Sequence, residues 1–235
     1  MATPYSVLMS VYFKESPEYL RTSIESIRGQ SASTNDFVVV CDGPLTSELD
    51  AVLEEEQEKF GSVLHVLRLE KNEGLGNALN KGLKLCKNEL VARMDSDDIS
   101  RPERCAKQLH VFEQNPEIDF SSGTISEFAT VPKASSGECH LPSTNKEIIK
   151  FSKKRNPMNH VAVMFKKSAV ESVGGYKETF HLFEDYYLWI RMLREGVIAQ
   201  NIPDVLVDVR IPADMYLRRG GKEYAKNDDN VSQMA

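Results

Sequence analysis

The sequence predicts an α/β protein in which a mostly parallel β-sheet is covered by helices on both faces. Short apolar segments rich in β-branched residues alternate with amphipathic segments through the first half of the chain. Several apolar segments are nearly continuous, which is typical of strands buried on both faces of a sheet. With 235 residues, 41% of them hydrophobic, the chain is long enough to bury the core of one large domain.

The first half contains four predicted strands, each followed by a predicted helix. Ser16 suits the N-cap of the first helix, Pro17 its first turn and Gly29 its end. Ser100 and Glu103 fit a capping box at the start of the fourth helix. The predicted strands are 5–12, 37–41, 63–69 and 90–94, and the predicted helices are 16–30, 47–60, 74–86 and a segment ending at Asn115.

The alternation stops beyond Gly123. The polar segment 124–143 predicts a hairpin or a long excursion, and a short helix follows at 144–152. An apolar strand VAVMF and an acidic motif that begins a helix come next, and the chain ends on a polar, partly basic segment. No linker composition is visible, so we predict one domain over 1–220, with halves 1–123 and 124–220, and a polar tail 221–235.

Composition limits the classes of function. The net charge of −6 argues against broad electrostatic binding of nucleic acid. The four cysteines are widely spaced without a CxxC pair, which favours reduced thiols in a cytoplasmic protein. The N-terminus has no signal-peptide pattern, and no apolar run approaches the about 20 residues of a membrane span. We therefore expect a soluble chain.

Three carboxylates, Asp95, Asp97 and Asp98, stand directly behind the apolar segment LVARM. A solvated turn could hold them, but their mutual repulsion rises as water is excluded. A divalent cation would relieve it, because hard cations take carboxylate oxygens. An EF-hand is excluded, since the sixth position is Ser100 rather than Gly.

Other polar residues also follow the ends of predicted strands. Tyr12, Asp42, Asn72 and Asp95 all do so, and ligands of parallel sheets bind outside the carboxyl ends of the strands. These four should line one crevice, which favours a metal site over a plain turn. The segment NEGLGN near Asn72 holds only GxG, so glycines that ease a turn are as good an interpretation as phosphate contact.

The second half offers further candidates, each with a structural alternative. Glu184 and Asp185 begin a helix, where acids meet the helix dipole favourably, and an ionised Asp there could also act as a general base. Trp189 suits a core anchor better than a ligand platform, and His160 suits a structural hydrogen-bonder better than a ligand. The Arg218–Arg219 pair is either solvated or a diphosphate clamp.

Taken together, these motifs resemble the family 2 glycosyltransferases, inverting enzymes of the GT-A fold that use nucleotide sugars. The matching segments occur in the family's order and cover residues 5 to about 220. The similarity is greatest to bacterial capsule, exopolysaccharide and O-antigen transferases. The segments are SVLMSVYFKE, VVVCDGP, NEGLGNALNKG, ARMDSDDISRPER, NHVAVMFKKSAVESVGGY and FEDYYLWIRM.

The resemblance implies a Rossmann-like nucleotide-sugar-binding half over 1–123 and an acceptor-binding half over 124–220. It implies that Tyr12, Glu15 and Asp42 hold the uracil and ribose of a UDP-sugar, and that Asn72, Gly74 and Asn80 lie against the nucleotide and sugar. The metal, Mn²⁺ or Mg²⁺, would be held by Asp95 and Asp97, with Asp98 behind them. Further implied positions are His160 at the donor or acceptor, Arg210, Arg218 and Arg219 at the diphosphate, Asp185 as base, and Glu184 and Trp189 beside it.

One departure affects the metal. Many relatives carry a late His as a further ligand, whereas no His follows His181 here, so that ligand is either absent or replaced by an oxygen donor such as Asp214 or water. The acceptor would be a glycan or lipid-linked sugar, and the full-length protein would associate peripherally with the inner face of the cell membrane. The alternatives are a sugar nucleotidyltransferase, a glycoside hydrolase, and a catalytically silent nucleotide-sugar-binding subunit of a glycosyltransferase complex.

Overall fold

A computed structural model describes residues 3–129, 137–180, 182–211 and 230–234. Its strands and helices alternate as predicted through the first half, with bounds within two residues of the expected ones for the first three strands and helices. The strands are β1 Tyr5–Val11, β2 Asp36–Cys41, β3 Leu64–Arg68, β4 Leu90–Asp95, β5 Ile99–Ser100, β6 Phe120–Phe128, β7 Gly137–Cys139, β8 Met164–Lys166 and β9 Ala199–Arg210. The helices are α1 Pro17–Arg28, α2 Ser47–Phe60, α3 Leu75–Leu85, α4 Arg104–Gln114, α5 Asn145–Ser152, α6 Lys167–Ser172 and α7 Glu184–Arg194.

The strands form one mixed, mostly parallel sheet in the order β3-β2-β1-β4-β8-β6-β9-β5, and β7 pairs with β6. Strands β1 to β4 are mutually parallel, and β6 is parallel to β9. The short strands β5, β7 and β8 run antiparallel to their neighbours. Because β1 to β4 point the same way, their carboxyl ends meet at one edge of the sheet.

Alternate residues of each central strand face two separate hydrophobic cores. On β1, Val7 and Met9 pack in a cluster with residues of α1, α2 and α4. Leu8, between them, packs with residues of α3, α5, α6 and α7. The two-residue period of the strand thus supplies both faces, and the prediction of helices on both sides of the sheet is confirmed.

The capping box predicted at Ser100 and Glu103 is wrong. Ser100 belongs to β5, where it pairs with Val207 of β9, and its Oγ accepts a hydrogen bond from Gln30 Nε2 at 3.1 Å. The helix α4 begins only at Arg104, and the Glu103 side chain makes no cap bond. Pairing with a strand about a hundred residues away has displaced a local helix signature.

For the segment 124–143 the sequence predicted either a hairpin or a long excursion. The antiparallel pairing of β6 with β7 favours the hairpin. The VAVMF segment is divided between a 3₁₀ turn, His160–Ala162, and β8. No helix in the described ranges has the length and apolarity that crossing a bilayer requires. All four cysteines carry free thiols, and Cys41, Cys86 and Cys105 are buried.

Candidate active site

The loops that follow the parallel strands touch one another at the carboxyl edge of the sheet. Asn72 Nδ2, beyond β3, donates to the carbonyl oxygen of Asp42, beyond β2, at 3.2 Å. Ser96 Oγ, beyond β4, donates to Glu15 Oε2, beyond β1, at 2.5 Å. These contacts join the loop after β3 to the loop after β2, and the loop after β4 to the loop after β1.

The Asp42 carboxylate organises the loop that precedes α3. It is 4% exposed, and it accepts hydrogen bonds from the backbone N–H groups of Glu73 at 2.7 Å and Gly74 at 3.1 Å. Gly74 has a φ of +87°, and a Cβ there would lie 2.7 Å from Glu178 Oε1. The backbone conformation therefore favours glycine at position 74, and a side chain there would also displace the end of Glu178. Asp42, Asn72 and Gly74 are predicted to contact the nucleotide-sugar donor. They would do so from a loop that the hydrogen bonds to Asp42 hold in place.

The loop after β1 carries the most exposed aromatic rings at this edge. Tyr12 is 41% exposed and packs edge to face on Phe13, with the ring centroids 5.9 Å apart. Glu15 is tied down on both oxygens, by Ser96 and by the backbone N–H of Ser16 at 2.8 Å. The exposed ring can stack on a nucleobase, and the fixed carboxylate beside it can accept hydrogen bonds from that base.

The three acidic residues after β4 have three different environments. Asp95 forms a two-pronged ion pair with Arg93, whose side chain is buried in the sheet. Asp98 is buried, and its Oδ1 accepts from the backbone N–H of Arg210 at 2.7 Å, which fastens the acidic loop to β9. Burial, with the charges of Asp97 and Asp95, raises the pKa of Asp98 well above its ordinary value.

Asp97, like Asp98, lies among neighbouring negative charges and has no ion pair of its own within the described residues. Burial and the negative charges of Asp95 and Glu15 raise its pKa to about 7, although its own backbone N–H and Arg93 act in the opposite direction. Ionising Asp97 is thus costly in the absence of a further positive charge.

These residues fit a divalent cation that arrives with a phosphorylated substrate. Among the residues that the structure describes, no group of three or more His, Cys, Asp or Glu side chains is arranged to hold a metal by itself. Mg²⁺ and comparable hard cations are commonly held by one or two carboxylates together with substrate phosphates. Asp97, crowded by like charge, with Asp95 beside it, would supply two carboxylates of this kind.

Asp185 lies in the first turn of α7 and is held by a residue distant in sequence. Its Oδ2 accepts from Asn156 Nδ2 at 2.7 Å. Burial raises the pKa of Asp185, outweighing the lowering by Asn156, the Tyr186 backbone N–H and Arg93. The helix terminus was expected to keep the carboxylate acidic, but removal from water decides the direction. A raised pKa makes a carboxylate a better proton acceptor.

Glu184 stands next to Asp185 with a different role. Its Oε1 accepts from the backbone N–H of Leu182 at 3.2 Å. Leu182 has a φ of +68°, a left-handed conformation that no other non-glycine residue adopts within the described ranges. The side chain of Glu184 thus supports an unusual turn at the entrance to α7.

His160 and Trp189 belong to a packed aromatic cluster with Tyr176 and Phe120. His160 Nε2 lies 2.9 Å from the Tyr176 hydroxyl, and its ring packs edge to face on Trp189 at 5.9 Å. Trp189 is fully buried and stacks on Phe120 at 5.4 Å. Burial, with the charge of Arg93, holds the pKa of His160 well below its ordinary value. The structural interpretations of a hydrogen-bonding His160 and a core Trp189 match this arrangement.

Two further residues that the family resemblance placed at the donor are engaged by the protein itself. The Asn80 amide donates to the carbonyl of Tyr176 at 2.9 Å and accepts from its backbone N–H at 2.8 Å. Arg210 Nε donates to the carbonyl of Asp97 at 3.2 Å, and its guanidinium lies 3.7 Å from the ring centre of Tyr19. Arg218, Arg219 and Asp214 lie outside the described residues.

Sequence reasoning missed Arg93 and Asn156. Arg93 could have been found, because a charged residue inside the apolar segment LVARM needs a buried partner, and the residue two positions on shares its face of the strand. Nothing in the sequence singles out Asn156, which meets Asp185 only through the packing of α5 and α7.

Several known proteins are similar to this chain over almost its whole length. A 42% identical Haemophilus influenzae protein described as an uncharacterized glycosyltransferase matches 94% of this chain and 81% of its own length. The amylovoran biosynthesis glycosyltransferase AmsE of Erwinia amylovora is 41% identical, over 95% of this chain and 82% of its own. The UDP-Gal:alpha-D-GlcNAc-diphosphoundecaprenol beta-1,3-galactosyltransferase of Escherichia coli is 40% identical, over 94% of this chain and 79% of its own.

Solved structures share the fold at low sequence identity. Residues 1–349 of S. aureus TarS in complex with UDP superpose with a TM-score of 0.71 and 19% identity, over 96% of this chain and 65% of that one. The mannosyltransferase PcManGT from Pyrobaculum calidifontis, in complex with GDP-Man and Mn²⁺, gives 0.72 and 15%, over 100% of this chain and 69% of that one. The fold is thus the GT-A fold.

The model of the family described as "Glycosyl transferase family 2" matches residues 6–174, the part of the chain that carries the parallel strands and the acidic loop. On this match and on the 40–42% identical relatives, the chain belongs to glycosyl transferase family 2 and is a glycosyltransferase.

Proposed function

We propose that this chain is an inverting glycosyltransferase of cell-surface polysaccharide assembly. It moves a sugar from a UDP-sugar to a hydroxyl group of a glycan or lipid-linked acceptor. One observation carries the proposal: the buried Arg93 guanidinium pairs with Asp95 and also acts electrostatically on Asp185. A donor-side carboxylate and a proton acceptor are thus arranged around the same buried charge.

The identity of the substrates is supported by the relatives. The Escherichia coli relative is named for a UDP-sugar donor and a lipid-diphosphate-linked sugar acceptor, and it matches nearly the whole of this chain. The Erwinia relative is named for the biosynthesis of amylovoran. The exposed Tyr12 ring and the fixed Asp42 and Glu15 carboxylates suit a uridine at the carboxyl edge.

We further propose that Mn²⁺ or Mg²⁺ takes part in donor binding, held by Asp97 with Asp95. When bound, the cation supplies positive charge that stabilises the diphosphate as it leaves. Arg93 orients Asp95 through its two-pronged pair. Asp98 holds the acidic loop against β9 and so fixes where Asp97 points.

The transfer itself is a single displacement at the anomeric carbon. Asp185 accepts the proton of the acceptor hydroxyl as that oxygen attacks from the face opposite the diphosphate. The new bond between carbon and acceptor oxygen forms while the bond between carbon and diphosphate oxygen breaks, so UDP leaves with the electron pair and the configuration inverts. Asn156 holds the Asp185 carboxylate in place during this step.

The test is a screen of UDP-sugars with Mn²⁺, read first by thermal shift and then by UDP release with and without sugar-diphosphate lipid acceptors. We expect one UDP-sugar to give acceptor-dependent UDP release, with an inverted anomeric configuration in the NMR spectrum of the product. Donor binding without transfer to any acceptor would favour the catalytically silent subunit. A product that retains the donor configuration would contradict the single displacement.

A further inference from the structure

The helix α5 and the turn after it carry a concentrated positive charge on a chain whose net charge is −6. Residues 145–155 contain five basic side chains and one acidic one. All five basic side chains are exposed, and so is Ile149, at 38%. We call this set the basic face: Lys146, Ile149, Lys150, Lys153, Lys154 and Arg155.

Helix geometry puts four residues of the basic face on one side of α5, and Lys154 and Arg155 follow in the turn after it. Positions 146, 149, 150 and 153 follow the three- and four-residue spacing of a single helical face. Ile148 and Ser152 occupy the opposite face and are buried. The Ser152 carbonyl accepts from the Tyr186 hydroxyl at 2.6 Å, so α5 is fastened to α7 and the basic face must point outward.

The charge of this face is not neutralised within the part of the chain that the structure describes. No carboxylate there lies within ion-pair distance of any of the five basic groups. The neighbouring Glu147 carboxylate is taken up by the capping box, accepting from the Thr144 backbone N–H at 3.2 Å and hydroxyl at 2.8 Å. The five basic side chains of this face are therefore available to bind an external anion.

We propose that the basic face docks this chain on an anionic membrane surface. A cluster of basic residues on an amphipathic helix is attracted to anionic headgroups, and an exposed apolar residue such as Ile149 can enter the headgroup region. The chain as a whole is acidic, so an anionic bilayer would repel it elsewhere and select this orientation. A flat, multivalent anionic surface suits five cations spread over one face better than a single small phosphate does.

Docking in this orientation would bring the candidate base to the membrane. Arg155 is followed by Asn156, which holds Asp185 at 2.7 Å. Asp185 would therefore lie close to the headgroup region, where a lipid-linked sugar diphosphate is displayed. This consequence rests on the proposed function, whereas the docking itself does not.

Vesicle flotation tests the proposal with the full chain. We expect binding to phosphatidylcholine vesicles that contain an anionic phospholipid, little binding to phosphatidylcholine alone, and release at high salt. Each basic residue near an anionic surface contributes a factor of about 5, so Lys150→Gln/Lys154→Gln should bind roughly 30-fold more weakly. Gln keeps the helix propensity of Lys at position 150, and Lys154 is exposed in the turn after α5, so neither change should disturb the fold.

The matched control is Arg28→Gln/Lys84→Gln, which removes the same charge from two exposed positions on α1 and α3. It should bind anionic vesicles like the wild type. Equal losses in the two double variants, or wild-type binding by the Lys150/Lys154 variant, would overturn the proposal. Transfer to a short-chain, water-soluble acceptor should be unchanged in the Lys150/Lys154 variant. Vesicle binding without any transfer would instead refute the proposed function and leave the docking surface supported.

Discussion

Replacing Asp97 by Asn should stabilise the metal-free protein and abolish metal-dependent UDP binding. Burial and the charges of Asp95 and Glu15 raise the pKa of Asp97 from an ordinary value of 3.8 to about 7. The folded chain therefore holds this proton more tightly than the unfolded chain does. The stability contributed by that proton is present below the unfolded pKa and is lost as the pH rises through the folded one.

The size of the effect follows from these two pKa values. One pKa unit corresponds to about 1.4 kcal/mol, so an ionised Asp97 costs the folded protein up to about 4 kcal/mol. The Asn side chain does not ionise and escapes this cost. The difference in unfolding free energy between Asp97→Asn and the wild type should therefore grow by about 2–3 kcal/mol between about pH 5 and about pH 8.

Urea unfolding in chelator across this pH range measures the difference. Glu117→Gln is the control, because it neutralises an exposed carboxylate beyond the far end of α4. Adding UDP with Mn²⁺ should raise the melting temperature of the wild type and leave that of Asp97→Asn nearly unchanged. A difference in unfolding free energy that stays constant with pH would refute the crowding argument, and equal UDP affinity in chelator and in Mn²⁺ would refute the metal proposal.

Three further substitutions test other parts of the site. Asp185→Asn should slow transfer by roughly 10²–10⁴ without loss of UDP affinity. It should not lower stability at neutral pH, because burial raises the pKa of the carboxyl that it replaces. A near wild-type transfer rate in this variant, with Glu184→Gln inactive, would reverse the assignment of the base. Asn80→Ala should lower the unfolding free energy by about 1–3 kcal/mol, since it leaves both backbone groups of Tyr176 without their partner, and unchanged denaturant stability would contradict this. Gly82→Ala should cost about 1–3 kcal/mol, because its Cβ would lie 2.5 Å from two side-chain carbons of the sheet; a melting temperature equal to that of the wild type would show that the sheet yields there.

The sequence by itself determined the architecture of the first half and the edge at which the site lies. Apolar residues that recur every two or every 3.6 positions indicate which side chains of a strand or a helix are buried. Burial of those side chains is what stabilises the strand or helix. The segment FVVVC was predicted as a doubly buried strand, and all six residues of β2 are buried. Once β1 to β4 are parallel, their carboxyl ends lie at one edge, so the edge that carries Asp42, Asn72 and Asp95 was predictable from local patterns.

The roles of individual polar side chains were decided by the tertiary structure. Asn80 and Asp98 have residue types that suit a ligand site, yet they bond to backbone groups at positions 176 and 210. Ser100 carries a helix-capping signature and instead lies in a strand paired with β9. A sequence motif shows which polar groups are present, but not which partner each group bonds to in the folded chain.

Asp185 shows the same division between sequence and structure. Its place at the start of a helix was evident from the sequence, whereas its bond to Asn156 and the burial that raises its pKa were not. Hydrogen-bond partners and local dielectric depend on segments that meet only when the chain is packed. The periodicity of apolar residues therefore determined the strands and helices of the first half. Long-range packing determined the hydrogen-bond partners and the burial of the carboxylates that they carry.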